Sequence, residues 1–472
     1  MTERSLMLLR RTGTCALCAV LAGPAIAQSP QVQVNDLGTL GGRFTVVADI
    51  NDAGEVTGYS ETSDGQIHAF LYTQGQMHDL GTLGGPGSLA SAINNAGQIT
   101  GFSLTTAGES HAFLYTAGAM TDLGSSGTSS SGKAVNQTGQ VAGEATPSGG
   151  HEYAVLYSAG NTNPFGTAGS SSTSEAVSDH GQVTGTYEDA AGTHAFFYAG
   201  DSIVDVMPGY SSFVSGTRAI NSVGTVAGGF QTAGTLHGFV YANGHATDIG
   251  SLGGDYTVAT AISTSGKITG ISARADGQRH AFLYTAGAVA DLGTLGGNFS
   301  VGYALNDLDA IAGQSTTPSG QLHAFVSQDG TLLDLGQLVE GLAPAGSVVD
   351  SVGVGINRAG QVIGRYTIST PSDTQMPTTT RGFIATTAAS ATALFQDLIT
   401  TVAGIGPGKS LQDKLQHALV SYLAGNAAGS CSSLNGFLNE INAQDGKKLE
   451  HQMALQLIEQ ADALEAVIGC SA

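Results

Sequence analysis

The 472-residue chain sets 16 Lys and Arg against 37 Asp and Glu, a formal charge of −21. That balance argues against phosphate-backbone binding, which needs cationic side chains to release counterions, so neither nucleic acid nor an anionic membrane surface is an expected partner. Sixty-nine glycines beside 41% apolar residues describe a turn-rich β-protein rather than a disordered chain, because the apolar residues recur with a fixed period.

Arg10 and Arg11 precede an apolar run from Cys15 to Ile26 that closes in Ala25-Ile26-Ala27. A basic start, a short apolar centre and a small-x-small end read as a secretory signal peptide over 1–27, cut between Ala27 and Gln28. Leu9 and Thr12 fit a twin-arginine signal poorly. The run is too short to span a bilayer, and nothing later reaches the roughly 20 apolar residues of a spanning helix. The expected mature chain is exported, to the periplasm or beyond the cell. Cys15 and Cys18 leave with the signal, so Cys431 and Cys470 remain as the expected disulfide.

From 31 to 386 the chain repeats. His68-Ala69-Phe70-Leu71-Tyr72 returns, intact or worn, at 111–115, 153–157, 194–198, 237–241, 280–284, 323–327 and 381–385. Each period of about 43 residues carries four short apolar segments separated by turns. In the first they are Asp36-Leu37-Gly38, then 46–51, 55–60 and 68–72. Asn51-Asp52-Ala53-Gly54 and its copies supply the left-handed backbone of a tight hairpin, and Asp64-Gly65 supplies the next turn. The expectation is an eight-bladed β-propeller of four-stranded blades, closed when the segment at Asp36 joins the last blade and removes a free edge. An open solenoid or a seven-bladed ring with a stray unit is the alternative.

The repeat resembles the bacterial extracellular family named for its His-Ala-Phe repeats. The likeness is carried by Asp-Leu-Gly-Thr-Leu-Gly-Gly at 36–42, 79–85 and 291–297, by Ile-Asn-x-x-Gly-x-Val-x-Gly and by His-Ala-Phe-Leu. It implies secretion and a propeller, and it implies no activity.

From Ala391 to Ala472 the period changes. Leu394, Leu398 and Val402, then Leu411, Leu415 and Leu419, then Leu434, Phe437 and Ile441, then Met453, Leu457 and Leu464 fall at helical spacing. Pro407-Gly408, Gly425-Asn426 and Asp445-Gly446 separate them, predicting a four-helix bundle. The segment resembles a helical module at the C-terminal end of many secreted bacterial proteins, through Gly425-Asn426, Cys431, Ala443-Gln444, Gly446-Lys447-Lys448-Leu449 and Gly469-Cys470. That likeness also implies the Cys431–Cys470 bridge.

The recurrent histidine is read as structural, its ring hydrogen-bonded between blades, because equivalent positions around a ring stand too far apart to share an ion. The recurrent aspartate is read as a turn or strand-end cap. No nucleophile elbow, zinc-type histidine pair, phosphate loop or calcium loop stands out, and no cofactor or metal is expected. The last unit breaks the rhythm twice, over 337–352 and 367–380. In a four-stranded blade the inter-blade connection and the second-to-third turn share a face, so these stretches are expected to form one ridge of ligand-contacting loops. The residues singled out are Gln337, Glu340 and Asp350, with Ser369, Asp373, Gln375 and Arg381. The expected function is non-enzymatic recognition of an extracellular glycan or protein. The alternative is a carbohydrate-active enzyme with carboxylates on the loop face, which would need two within about 5 to 10 Å.

Overall fold

The computed structural model describes residues 32–470, apart from 126–127, 166–170, 201, 211–212, 233, 329, 345, 370–376, 406–408 and 469. Ala27 and Gln28 at the expected cleavage point, and Asp373 and Gln375 in the last unit, lie outside the described residues.

The first repeat shows why these residues make a sheet. Gly41–Ile50, Val56–Thr62, Ile67–Thr73 and Gln76–Asp79 pair antiparallel in sequence order. The first turn closes when the Gly54 N–H donates to the Asn51 carbonyl, with Gly54 at φ +82°, and the Asn51 side chain accepts from the Glu55 N–H at 2.9 Å. The other glycine of the motif serves a different need. A Cβ on Gly58 would stand 2.1 Å from the Val46 carbonyl oxygen, so the first and second strands approach only where no side chain intervenes.

The same four-strand order runs through 84–122, 128–165, 172–205, 213–250, 253–291 and 300–334. Parallel pairings, Ile67 with Gly87 and Leu236 with Tyr256, tie successive sheets together. The last sheet takes Val348–Ile356, Val362–Ser369 and Thr378–Thr387 from the end of the repeat region and Val32–Asp36 from its beginning. Val32 faces Thr387 and Asp36 faces Phe383, so a strand from the start of the chain covers the final edge. First strands of successive sheets touch, and Gly41–Ile50 touches Val348–Ile356. The sheets therefore surround an axis as a closed β-propeller.

Around that axis the turn asparagines reach from sheet to sheet. Asn51 donates to the Asn94 carbonyl, Asn94 to that of Asn136, Asn136 to that of Ser178, and Asn357 back to that of Asn51. Phe70, Phe113, Phe196, Phe239, Phe282, Phe325 and Phe383 are fully buried, each worth roughly 1.5–3 kcal/mol of apolar burial.

Five α-helices occur among the described residues. A short one, α1 (Gly336–Val339), lies between the last two sheets. After the last strand come α2 (Ala388–Thr401), α3 (Ser410–Leu423), α4 (Ala427–Gln444) and α5 (His451–Ile468). Helix α2 begins three residues before Ala391, directly at the end of the strand. Asn426 caps α4 by accepting from the Gly429 N–H at 3.0 Å. Phe395, Leu415, Phe437 and Leu457 meet in one core, and Cys431 bonds Cys470 with Cα atoms 5.5 Å apart. Among the described residues no helix is long and apolar enough to cross a membrane.

Candidate binding face

The repeated histidine bonds within its own sheet, which corrects the expectation of a bond between sheets. His68 Nδ1 lies 2.8 Å from an Asp79 carboxylate oxygen, and the same pair forms in His111–Asp122, His194–Asp205, His237–Asp248, His280–Asp291 and His323–Asp334. The cause is register: Phe70 faces Asp79 across the third and fourth strands, and His68 sits two residues earlier on the same face. The aspartate also caps the next turn, accepting from the Gly81 N–H at 2.7 Å. Two repeats lack the histidine. In one, Tyr153 stands in its place and Pro164 stands where aspartate would be; in the other, Arg381 takes the position and the Tyr366 hydroxyl donates to Asp36. Burial, then the Asp36 carboxylate, pushes the Tyr366 hydroxyl well above its ordinary range.

The bond between sheets comes from the motif's alanine. Its N–H donates to a serine on the first strand of the next sheet, Ala69 to Ser88 at 2.9 Å, and Ser88 donates to the Gly81 carbonyl at 2.6 Å. Ala112–Ser130, Ala154–Ser172, Ala281–Ser300 and Ala324–Ser351 repeat the tie. The most repeated residues are thus occupied in holding the ring. Ligand chemistry has to come from positions that differ between repeats.

The inter-sheet connections and the second-to-third turns, which both vary in sequence, share one face. In the last unit the two irregular stretches do meet, since the Ser369 N–H donates to the Ser347 carbonyl at 2.7 Å. Gln337 lies in α1, its N–H on Asp334 at 3.0 Å, and Glu340 stands 3.7 Å from His323 Nε2. Asp350 and Arg381 are not loop residues. Asp350 pairs with Thr367 and Arg381 with Tyr366, because the strands of the last hairpin extend over 367–369 and 378–380. The ridge therefore keeps Gln337 and Glu340 as surface candidates, while Ser369, which pairs with Thr378, serves the sheet with Asp350 and Arg381.

A second feature on this face was not expected from the sequence. Asp276, Gly277, Gln278 and Arg279 from one second-to-third turn meet Asn298 and Phe299 at the start of the next sheet around an open depression of about 430 Å³. Arg279 bridges Phe299 in parallel register, and its guanidinium carbon lies 4.0 Å from the centre of the Tyr256 ring. Asp276 is oriented by the Gln278 N–H at 3.0 Å and by Arg274 at 3.8 Å, and Arg274 also reaches Asp291 at 3.7 Å.

Carboxylates also gather near the third sheet. Lys133 pairs with Glu144 at 2.8 Å. Burial, and then the neighbouring Glu144, raises the Glu152 carboxyl above its ordinary range. On the first sheet, hydrogen bonds from Arg43 hold the Glu61 carboxyl below its usual value. Among the described residues no group of three or more His, Cys, Asp and Glu has a metal-holding arrangement.

A scan of protein-family models returns no match, and no curated protein matches the sequence. Among solved structures, a puromycin-hydrolyzing peptidase of Mycobacterium tuberculosis aligns at 11% identity and a TM-score of 0.43, over 71% of this chain and 59% of that one. The β-propeller domain of the trilobed protease of Pyrococcus furiosus aligns at 10% identity and a TM-score of 0.41, over 62% and 98% of the two chains. TolB of Acinetobacter baumannii aligns at 11% identity and a TM-score of 0.32, over 64% and 95%. The fold assignment rests on the strand order and ring closure described above.

Proposed function

We propose that this chain is an exported, non-enzymatic recognition module of the His-Ala-Phe repeat kind, an eight-bladed propeller with a C-terminal four-helix bundle, that binds an extracellular glycan. The carrying observation is the division of labour on one face. His–Asp caps and Ala–Ser ties recur from sheet to sheet, while the turns beside them carry unlike polar and aromatic side chains at Arg279, Asn298 and Phe299. Rigid scaffolds with varied turns are where binding groups usually gather. Export is supported by the Cys431–Cys470 bridge, which persists in oxidising compartments. A glycan array probed with residues 28–472 tests the reading, and selective binding to a subset of glycans is the expected result.

One observation favours a second reading, a carbohydrate-active enzyme. Glu152, with its raised carboxyl, neighbours Glu144, which Lys133 holds in an ion pair, and two carboxyls in unlike environments are the raw material of acid–base cleavage. A glycosidase panel separates the two: turnover abolished by Glu152→Gln, without selective array binding, favours the enzyme.

A further inference from the structure

We infer that the depression between the sheets 253–291 and 300–334 is a subsite for an acidic monosaccharide unit, a uronate, held by its carboxylate on Arg279. This rests on the glycan-binding reading and assigns it a place and a ligand class. Three observations carry it. First, Arg279 is exposed and has no carboxylate within 4 Å among the described residues, on a chain whose formal charge is −21. Its neighbour Arg274 is instead occupied by Asp276 and Asp291. A guanidinium left without an acid, yet seated on the Tyr256 ring, is aimed rather than loose, and its fork fits a carboxylate bidentately.

Second, the other lining groups suit a sugar. Phe299 offers an aromatic surface, Asp276 accepts from hydroxyls, and the Gln278 and Asn298 side-chain amides can both donate and accept. A volume of about 430 Å³ lies within the range of small-molecule sites.

Third, the molecule contains its own contrast. Between the first and second sheets the turn Asp64-Gly65-Gln66 repeats Asp276-Gly277-Gln278, and Ile67 bridges Gly87 as Arg279 bridges Phe299. Backbone and turn are kept, whereas the cation and the ring are replaced by an isoleucine and a glycine. The high negative charge works against long polyanions, so recognition is local, one carboxylate gripped at one subsite.

The test is calorimetric titration of residues 28–472 with galacturonate and with galactose. Galacturonate is expected to bind about ten-fold or more tightly than galactose, with the preference fading as salt rises, as for a charged hydrogen-bonded pair. Arg279→Ala should abolish the preference and Phe299→Ala should weaken both sugars, whereas Ile67→Ala should change neither. Equal binding of the two sugars, or an undiminished preference in Arg279→Ala, overturns the subsite while leaving glycan binding elsewhere on the face intact. No binding of either sugar, together with a blank array, overturns both readings. Arg279 is on the surface, so unchanged circular dichroism of the variant confirms that a loss reflects the site and not the fold.

Discussion

The sheets and the C-terminal helices bury their apolar residues in opposite ways. Around the ring the interior is divided into small clusters, each shared by neighbouring sheets: Leu37, Val47 and Phe70 meet Ile363 and Ile384 at the closure, and Ala69 meets Ile99 and Phe113 one step on. The helices instead share a single core of Phe395, Leu415, Phe437, Leu457 and their neighbours, with a disulfide across it. A repeat cannot bury both faces of its sheet alone, so its stability is a chain of interfaces, while the helical region is one cooperative body. Damage should therefore stay on its own side of Ala388.

The largest effect is expected inside an interface. Phe113→Ala removes a fully buried ring and should cost about 3–5 kcal/mol in the sheet transition. Followed by thermal unfolding with separate sheet and helix signals, the helical transition should not move. If both transitions fall together, the two regions unfold as one and the contrast is lost. The reverse experiment is reduction of Cys431–Cys470. With the cysteines 39 positions apart in sequence, loop-closure entropy implies about 4 kcal/mol, all of it in the helices. Urea unfolding with and without dithiothreitol should leave the sheet midpoint in place.

Much of this division was legible in the residues. The spacing of His-Ala-Phe copies marked the repeats, the Asn-x-x-Gly turns marked hairpins, and the change to helical spacing near Ala391 fell three residues from the start of α2. The pairing of His68 with Asp79 was missed, although a constant offset of 11 residues in six repeats carries the signal. Taken singly, each residue is accounted for by its strand or turn, and only register shows that the two touch. The Arg279 depression left no signal of its own. Asp276-Gly277 reads as turn punctuation, and Phe299 reaches Arg279 only through a pairing between sheets. The ridge of the last unit was half legible: Ser369 meets the Ser347 carbonyl as the two stretches come together, but Ser369, Asp350 and Arg381 all lie in strands, because the last hairpin extends over 367–369 and 378–380.

A smaller effect sharpens the contrast among the interfaces. Asp49 accepts from the Ile50 N–H at 2.9 Å and, across to the next sheet, from the Ile93 N–H at 3.0 Å, and burial pushes its carboxyl up to about 6. The folded protein thus holds this proton more tightly than the unfolded chain. The resulting stability is fully present below about pH 4 and is lost as pH rises through 6, on the order of 3 kcal/mol. Asp49→Asn should flatten that part of the slope, read as urea midpoints from pH 4 to 7. An unchanged difference between the two proteins across that range would rule Asp49 out as the source.

The smallest effect concerns the axis, where the repeats have already made the substitution. Asn94 donates to the Asn136 carbonyl and to Gln98 Oε1, both at 2.8 Å, and accepts from the Gln98 N–H. Ser178, at the equivalent place, bonds within its own turn, to Gln182 at 3.1 Å, and the tie to the next sheet comes instead from His180, whose Nδ1 lies 2.8 Å from the Ser222 carbonyl oxygen. Asn94→Ser removes one cross-sheet hydrogen bond from its interface and should cost about 1 kcal/mol. Asn357 makes the same bond to Asn51 at 3.1 Å, but across the seam where the two ends of the repeat region meet. If the ring is closed as firmly there as elsewhere, Asn357→Ser should match Asn94→Ser in both midpoint and unfolding rate. A distinctly faster unfolding rate for Asn357→Ser alone would mark the seam as the interface that opens first, and would make Val32–Asp36 the latch on which the other interfaces depend.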